Sequence, residues 1–256
     1  MPDILIDHAD GVLTLTLNRV EKKNAFTQAM YTTLADTLEA AAADPGKRVV
    51  VIQGHATVFS AGNDLRDFLS GPPISGDGTS PVQRFIAAMA QVPKPLLAAV
   101  CGPAVGIGTT MLFHCDLVYA GDNAAFSMPF VNLGLCPEAG SSLLAPRLMG
   151  YHRAAEALLM GEPFMAEAAL EVGLINRIVP PTEANALAQT QARKLAAKPS
   201  ASVIETKRLL KQSQAAEVTQ RIAEEFSSFG RLLQAPAAAE AIAAFTEKRR
   251  PDFSGL

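Results

Sequence analysis

Three short uninterrupted apolar runs constrain this chain more than any other feature. Residues 49–53 read VVVIQ, residues 96–100 read LLAAV and residues 117–120 read LVYA. Each has the length of a strand, and none alternates polar with apolar as a strand with one wet face does. A strand that is apolar on both sides must be covered on both sides. That is the condition of a largely parallel sheet with helices packed against it. Residues 4–7 and 12–17 add two β-rich stretches around Ala9, Asp10 and Gly11, the signal of a hairpin. Thr27 is placed to cap a helix running to about Asp44, with Met30, Leu34, Leu38 and Ala41 on one stripe and Pro45-Gly46 as its stop.

From about Thr182 the strand signals cease and helical periodicity takes over. Ala188, Ala192 and Leu195 fit one helix, and Val203, Leu209 and Leu210 a second. Ile222, Phe226 and Phe229 fit a third, and residues 236–246 a fourth, with Pro236 in its first turn. The chain thus divides into a mixed α/β core, residues 1–195, and a helical segment, residues 196–256. The apolar content of that segment calls for packing on a partner subunit or back on the core. Residues 70–80, SGPPISGDGTS, cannot hold a regular element and are long enough to form a mobile flap over a site.

Bulk properties narrow the classes of function. Hydrophobic residues make up 49% of the 256 and charged residues 18%, so a large core is available and disorder is disfavoured. A net charge of −3 argues against broad nucleic-acid binding. Lys22 and Lys23, and Lys248, Arg249 and Arg250, still leave room for a local phosphate site. No run reaches the ~18 apolar residues of a membrane span, and the first residues lack the pattern of a signal peptide. Cys101, Cys115 and Cys136 stand at unrelated spacings, which fits reduced thiols in a cytoplasmic protein. The final Ser-Gly-Leu resembles a peroxisomal address only loosely, because the basic middle residue is missing.

Three segments could carry chemistry. FSAGND, residues 59–64, follows a buried strand and places a Gly where a backbone could approach a ligand. GPAVGIG, residues 102–108, links a buried strand to a helix beginning near Gly108 and could present unpaired N–H groups there. It matches neither the dinucleotide fingerprint nor a P-loop. Each could also be an ordinary turn, which for FSAGND taken alone is the simpler reading. In the third segment, residues 129–142, Glu138 lies among Leu133, Leu135 and Cys136. A carboxylate in apolar surroundings takes up protons more readily and serves as a proton shuttle near neutral pH. It could also be a solvated loop residue, or one favoured by the dipole of the helix starting at Gly140. Other constellations are weaker. No G-x-S-x-G elbow accompanies the serines, and Ser141 and Ser142 read more simply as helix-start residues. Adjacent His114, Cys115 and Asp116 would not converge on one metal ion. Cys136 reads as a small buried thiol.

Five ordered blocks resemble the crotonase, or enoyl-CoA hydratase/isomerase, superfamily. They are NRVEKKNAF (18–26), VFSAGNDL (58–65), KPLLAAVCGPAVGIG (94–108), CDLVYAGDNAAFSMP (115–129) and FTEKRRPDF (245–253). The resemblance implies an α/β spiral of ββα units with an all-helical C-terminal trimerisation segment, in trimers that often pair into hexamers. It implies an acyl-CoA thioester as ligand, with no metal and no cofactor other than the CoA of the substrate. An oxyanion hole would be formed by the backbone N–H groups of Asn63 and Ile107, with Gly106 beside it as a substrate-binding residue. The CoA would lie along Ala61, Gly62, Asp64, Leu65 and Arg66, with Arg66 where relatives often carry a phosphate-binding Lys. Phe245 and Lys248 resemble the C-terminal adenine and phosphate contacts, reaching a neighbouring subunit. Asp64 also reads as structural, fixing its turn by local hydrogen bonds.

Two departures matter. The positions of the two hydratase glutamates hold Thr110 and Phe130, so the two-Glu mechanism is lost and Phe130 is expected to line the acyl pocket. Glu138, in LGLCPEAGSS, resembles the single catalytic Glu of peroxisomal-type Δ3,Δ2-enoyl-CoA isomerases. The implied reaction shifts a double bond from 3-enoyl-CoA to 2-enoyl-CoA. A hydratase or other thioester-enolate enzyme on the same scaffold, and a non-catalytic acyl-CoA binder, are the alternatives.

Overall fold

The buried apolar runs assemble into the centre of one sheet. In a computed structural model describing residues 1–68, 74–75 and 78–256, nine strands form two sheets. The strands are β1 (Ile4–Ala9), β2 (Val12–Leu17), β3 (Val49–Gln53), β4 (Leu96–Val100), β5 (Pro103–Val105), β6 (Leu117–Gly121), β7 (Ala125–Ser127), β8 (Phe164–Met165) and β9 (Arg177–Val179). The larger sheet runs β1-β2-β3-β4-β6-β9 and the smaller β5-β7-β8. In the larger sheet β1 pairs antiparallel with β2, and every other pairing is parallel. Much of the flap expected at residues 70–80 lies outside the described residues.

Ten α-helices connect and cover the strands among the described residues. They are α1 (Gln28–Ala43), α2 (Leu65–Phe68), α3 (Pro81–Gln91), α4 (Ile107–Thr110), α5 (Ser141–Met149), α6 (Tyr151–Ala155), α7 (Ala166–Glu171), α8 (Pro181–Ala196), α9 (Ser200–Leu233) and α10 (Pro236–Glu247). Thr27 caps α1 by accepting the Met30 N–H at 3.2 Å. The core explains why β3 is apolar over residues 49–52 and β4 throughout. Val49, Val51, Leu97 and Ala99 face Ala188, Ala192 and Ala196 of α8. Val50, Ile52, Leu96 and Ala98 belong to the main core, which α1 and α3 complete with Leu34, Leu38, Phe85 and Met89. Small residues four apart on α8 let that helix lie close to the sheet.

Two successive strand pairs set the position of the site. β4 passes through Cys101 and Gly102 into β5, and β6 passes through residues 122–124 into β7. β5 and β7 lie parallel, with Ala104 opposite Phe126. Each pair leads from the large sheet into the small one and on to helical turns, which is the rhythm of a ββα spiral. The strands of the small sheet are two or three residues long, too short to leave a periodic signal.

The tail differs from expectation in one respect. The helices proposed around Val203–Leu210 and Ile222–Phe229 are a single helix, α9, of 34 residues. The apolar stripe lapses across KQSQAAEVTQR, residues 211–221, yet no Pro and no Gly interrupts the chain between Pro199 and Gly230. A polar stretch does not end a helix unless a breaker or an alternative cap is present. Lys207 fastens this helix to the core. Its Nζ donates to Lys94 O and to Asp116 Oδ2, each at 2.7 Å. Among the described residues no helix is long and apolar enough to cross a membrane.

Candidate active site

FSAGND and GPAVGIG pack directly on one another. Ser60 N donates to Pro103 O and Val105 N donates to Ser60 O, both at 2.9 Å. Gly62 makes this approach possible. Its φ is +86°, and a Cβ there would meet Val105 O at 3.0 Å. On its other side the turn pairs with Phe26 through Phe26 N to Gly62 O at 2.8 Å and Asp64 N to Phe26 O at 2.9 Å. That register leaves the Asn63 N–H outside the pairing. Ile107 is the first residue of α4, so no carbonyl within the helix can reach its N–H. Two main-chain donors, one from each turn, therefore sit on adjoining segments. The Asn63 side chain is also held: Tyr31 of α1 donates its hydroxyl to Asn63 Oδ1.

Glu138 completes the arrangement. It is buried, at 4% exposure, so the solvated-loop alternative is excluded. It shares a narrow cleft with Asn63, Ile74, Val82, Phe226 and Phe229. Thr110 on α4, itself fully buried, donates its hydroxyl to Glu138 Oε1. Burial pushes the Glu138 carboxyl up to about 8; the Thr110 hydroxyl opposes that rise and the negative charge of Glu225 adds to it. Burial also holds the Tyr31 phenol well above its ordinary value, and the Glu138 charge acts in the same direction.

The turn bearing Glu138 is pinned from several sides. Ser141 donates its hydroxyl to Glu138 O at 2.6 Å. Ala139, with φ +59°, and Gly140, with φ +72°, bend the chain into α5. His114 contacts Ala139 O through Nε2 at 2.7 Å, and because a carbonyl can only accept, Nε2 carries the proton. Burial drives the imidazole down to about 4; the bond to Ala139 O opposes that fall, and the nearby Lys211 and Lys207 charges add to it. His114 is thus a neutral strut.

The remaining residues from the sequence are placed as follows. Ala61 N donates to Lys23 O at 2.9 Å. Asp64 pairs with Arg19 at 2.8 Å, and its Oδ1 accepts the N–H groups of Arg66 and Asp67 at 3.2 and 3.3 Å. The structural reading of Asp64 therefore holds. Leu65 and Arg66 begin α2, with Arg66 exposed. The Phe130 ring lies 4.0 Å from where a Cβ on Gly106 would stand. Phe245 and Lys248 are exposed at the end of α10 and are not among the described residues lining the Glu138 cleft. His114, Cys115 and Asp116 do point apart, since Asp116 faces Lys207 while His114 faces Ala139. Thr110 as partner of Glu138, Tyr31 and the phenylalanines of α9 were not anticipated in these roles. Their one sequence signal is a polar or aromatic side chain within an apolar helical stripe.

Comparison with known proteins agrees with this architecture. A family model described as "Enoyl-CoA hydratase/isomerase" matches residues 7–255. The 2,3-dehydroadipyl-CoA hydratase of Escherichia coli K12 is 34% identical over 255 residues, 100% of either chain. Enoyl-CoA delta isomerase 2 of Rattus norvegicus is 36% identical over 215 residues, 82% of this chain and 55% of the relative. The crystal structure of an enoyl-CoA hydratase/isomerase from Pseudoalteromonas atlantica T6c superposes with a TM-score of 0.94 at 38% identity, covering 99% of this chain and 100% of that one. With its two sheets, paired turns and C-terminal helices, the chain has the crotonase fold and belongs to the enoyl-CoA hydratase/isomerase family.

Proposed function

We propose that this protein is a Δ3,Δ2-enoyl-CoA isomerase in which Glu138 is the sole proton carrier. The observation that carries the reading is the cleft itself. Glu138 is the one carboxylate among its described lining residues, in apolar company and beside Asn63. The thioester carbonyl would accept hydrogen bonds from the Asn63 and Ile107 N–H groups. Ionised Glu138 would take the proton from C2, and the electron pair of that C–H bond would pass into a dienolate whose charge rests on the carbonyl oxygen. The same carboxyl would return the proton to C4, leaving the double bond between C2 and C3. Atoms and electrons balance within the substrate, so neither a metal nor a redox cofactor enters the scheme. The two N–H groups act where charge develops, and losing one such donor typically costs about 3 kcal/mol in the barrier.

The CoA would run along Ala61, Gly62, Leu65 and Arg66. Phe245 and Lys248, exposed on this chain, suit contacts delivered to a neighbouring copy in a trimer. Similarity over 82% of the chain to a protein named as a delta isomerase supports the reading.

Hydration is the second reading, favoured by end-to-end similarity to a protein named as a hydratase. It needs a second group to protonate carbon, and the family's two hydratase positions hold Thr110, already committed to Glu138, and Phe130. Assaying the wild-type protein with 3-hexenoyl-CoA and 2-hexenoyl-CoA in parallel separates the two. Conversion of the first with negligible water addition to the second supports isomerase. Rapid hydration without isomerisation overturns it.

A further inference from the structure

Glu225 is a buried carboxylate that the scheme above does not use. It lies on α9, 6% exposed, and it straddles the segment that bears Glu138. Its Oε2 accepts the Gly140 N–H at 2.5 Å, and its Oε1 accepts the Ser142 N–H at 2.9 Å and the Ser142 hydroxyl at 2.6 Å. Its main-chain carbonyl accepts the Cys136 thiol at 3.9 Å. Residues two before, two after and four after Glu138 thus all bond to Glu225. Gly140 occupies the N-cap position of α5 and has no side chain with which to cap it. A carboxylate from another helix supplies the missing acceptor at the positive end of the dipole. The next residue, Phe226, lines the cleft together with Glu138.

We infer that Glu225 is a positioning residue for Glu138: its carboxylate holds the turn on which the base sits and presents a second negative charge to it. Burial raises the Glu225 carboxyl above its ordinary value, while the hydrogen bonds from Ser142 and Gly140 and the Arg221 charge act in the opposite direction and favour the ionised form. The other groups facing Glu138 and its turn are the Thr110 hydroxyl on α4, the Tyr31 phenol on α1, the Cys136 thiol in the turn and neutral His114. Arg221 on α9 donates to the Ser142 hydroxyl at 3.3 Å, pairs with Glu224 at 3.1 Å and brings a positive charge to Glu225. Among the described groups facing Glu138 and its turn, Glu225 is the one carboxylate. It strengthens Glu138 as a base, and it makes α9 part of the catalytic apparatus.

The catalytic consequence rests on Glu138 being the base; the titration of Glu138 does not. The test follows the Glu138 carboxyl by 13C NMR in full-length protein labelled at glutamate Cδ, with the resonance identified by its loss in Glu138→Gln. In Glu225→Gln, which keeps the shape and removes the charge, the Glu138 midpoint should fall by about one pH unit, a tenfold drop in proton affinity. The acid limb of kcat/KM for 3-hexenoyl-CoA should fall with it. In Glu225→Asp, which keeps the charge and shortens the reach, the midpoint should stay near the wild-type value while turnover drops. Equal loss of turnover in both variants with unmoved midpoints would reduce Glu225 to a structural brace and overturn the inference. A shifted midpoint in a protein without isomerase activity would uphold the pairing and dismiss the isomerase reading. Should Glu225→Gln fail to fold, the wild-type titration decides. Glu138 and Glu225 should titrate as a coupled pair, and two independent single-site curves would refute the inference.

Discussion

Replacing Glu138 with Gln removes an ionisable group from a place that resists its charge, and the energetic consequence can be worked out. A glutamate with an ordinary midpoint of 4.5 is carried to about 8, chiefly by burial. Its folded form therefore holds the proton more tightly than the unfolded chain does. The stability contributed is fully present below the unfolded midpoint and is lost as pH rises through the folded one. At about 1.36 kcal/mol per pH unit the full span corresponds to roughly 5 kcal/mol. Gln retains the volume and an oxygen to accept the Thr110 hydroxyl, yet it does not titrate. Measured by denaturant unfolding at fixed protein concentration, the stability of the variant relative to wild type should grow by about 4 kcal/mol between pH 5 and pH 9. Protein concentration is held fixed because any subunit association would shift apparent stability. Stability–pH curves that stay parallel would refute the reasoning, for they would mean that Glu138 ionises in the folded protein as easily as in water. A gain in stability joined to a loss of activity is the usual signature of a functional group held against its preference.

Other perturbations follow from the same contacts. Thr110→Val removes the one hydroxyl bonded to the Glu138 carboxylate; the acid limb of kcat/KM should move to higher pH and the rate at pH 7 should fall about tenfold, as expected for a hydrogen bond to a charged group. An unchanged pH profile would count against the contact. Gly62→Ala places a Cβ 3.0 Å from Val105 O at a positive φ, so it should cost about 2 kcal/mol or more in stability and misplace the Asn63 N–H, read as a lower Tm with a lower kcat. Lys207→Met removes the 2.7 Å bond to Asp116, which keeps Lys211 at 3.7 Å and the Leu96 N–H at 2.7 Å, so the docking of α9 should weaken by about 2 kcal/mol in a denaturant melt.

What the sequence disclosed, and what it withheld, follows from the range of the interactions involved. The hairpin, the cap at Thr27 and the three central strands were legible because each depends on neighbours in sequence or on burial of a whole run. The uninterrupted α9 was misread as two helices because amphipathic periodicity reports contacts, and residues 211–221 have few apolar ones to make. Strands β5, β7 and β8 were illegible from periodicity because they are two or three residues long; their existence followed only from the family resemblance. Glu138 was identifiable as a candidate, but its burial was not. That burial is produced by α9, whose Glu225, Phe226 and Phe229 arrive from more than 80 residues away. For the same reason Thr110 registered in the sequence as the loss of a glutamate, whereas in the fold it is the group that orients the glutamate that remains. The two N–H donors were assigned by resemblance. Their geometric basis, the close packing of Gly62 on Val105, is visible only once both turns are in place.

The most direct test of the central claim compares initial rates of 2-hexenoyl-CoA formation from 3-hexenoyl-CoA by wild-type protein and Glu138→Gln at pH 8. CoA binding should be verified in both by calorimetry. One carboxyl serving as both base and acid predicts a loss of 10²–10⁴-fold or more in the variant with CoA affinity retained. A variant that isomerises as fast as wild type would contradict the account, because no other carboxylate among the described residues lining the cleft could take its place.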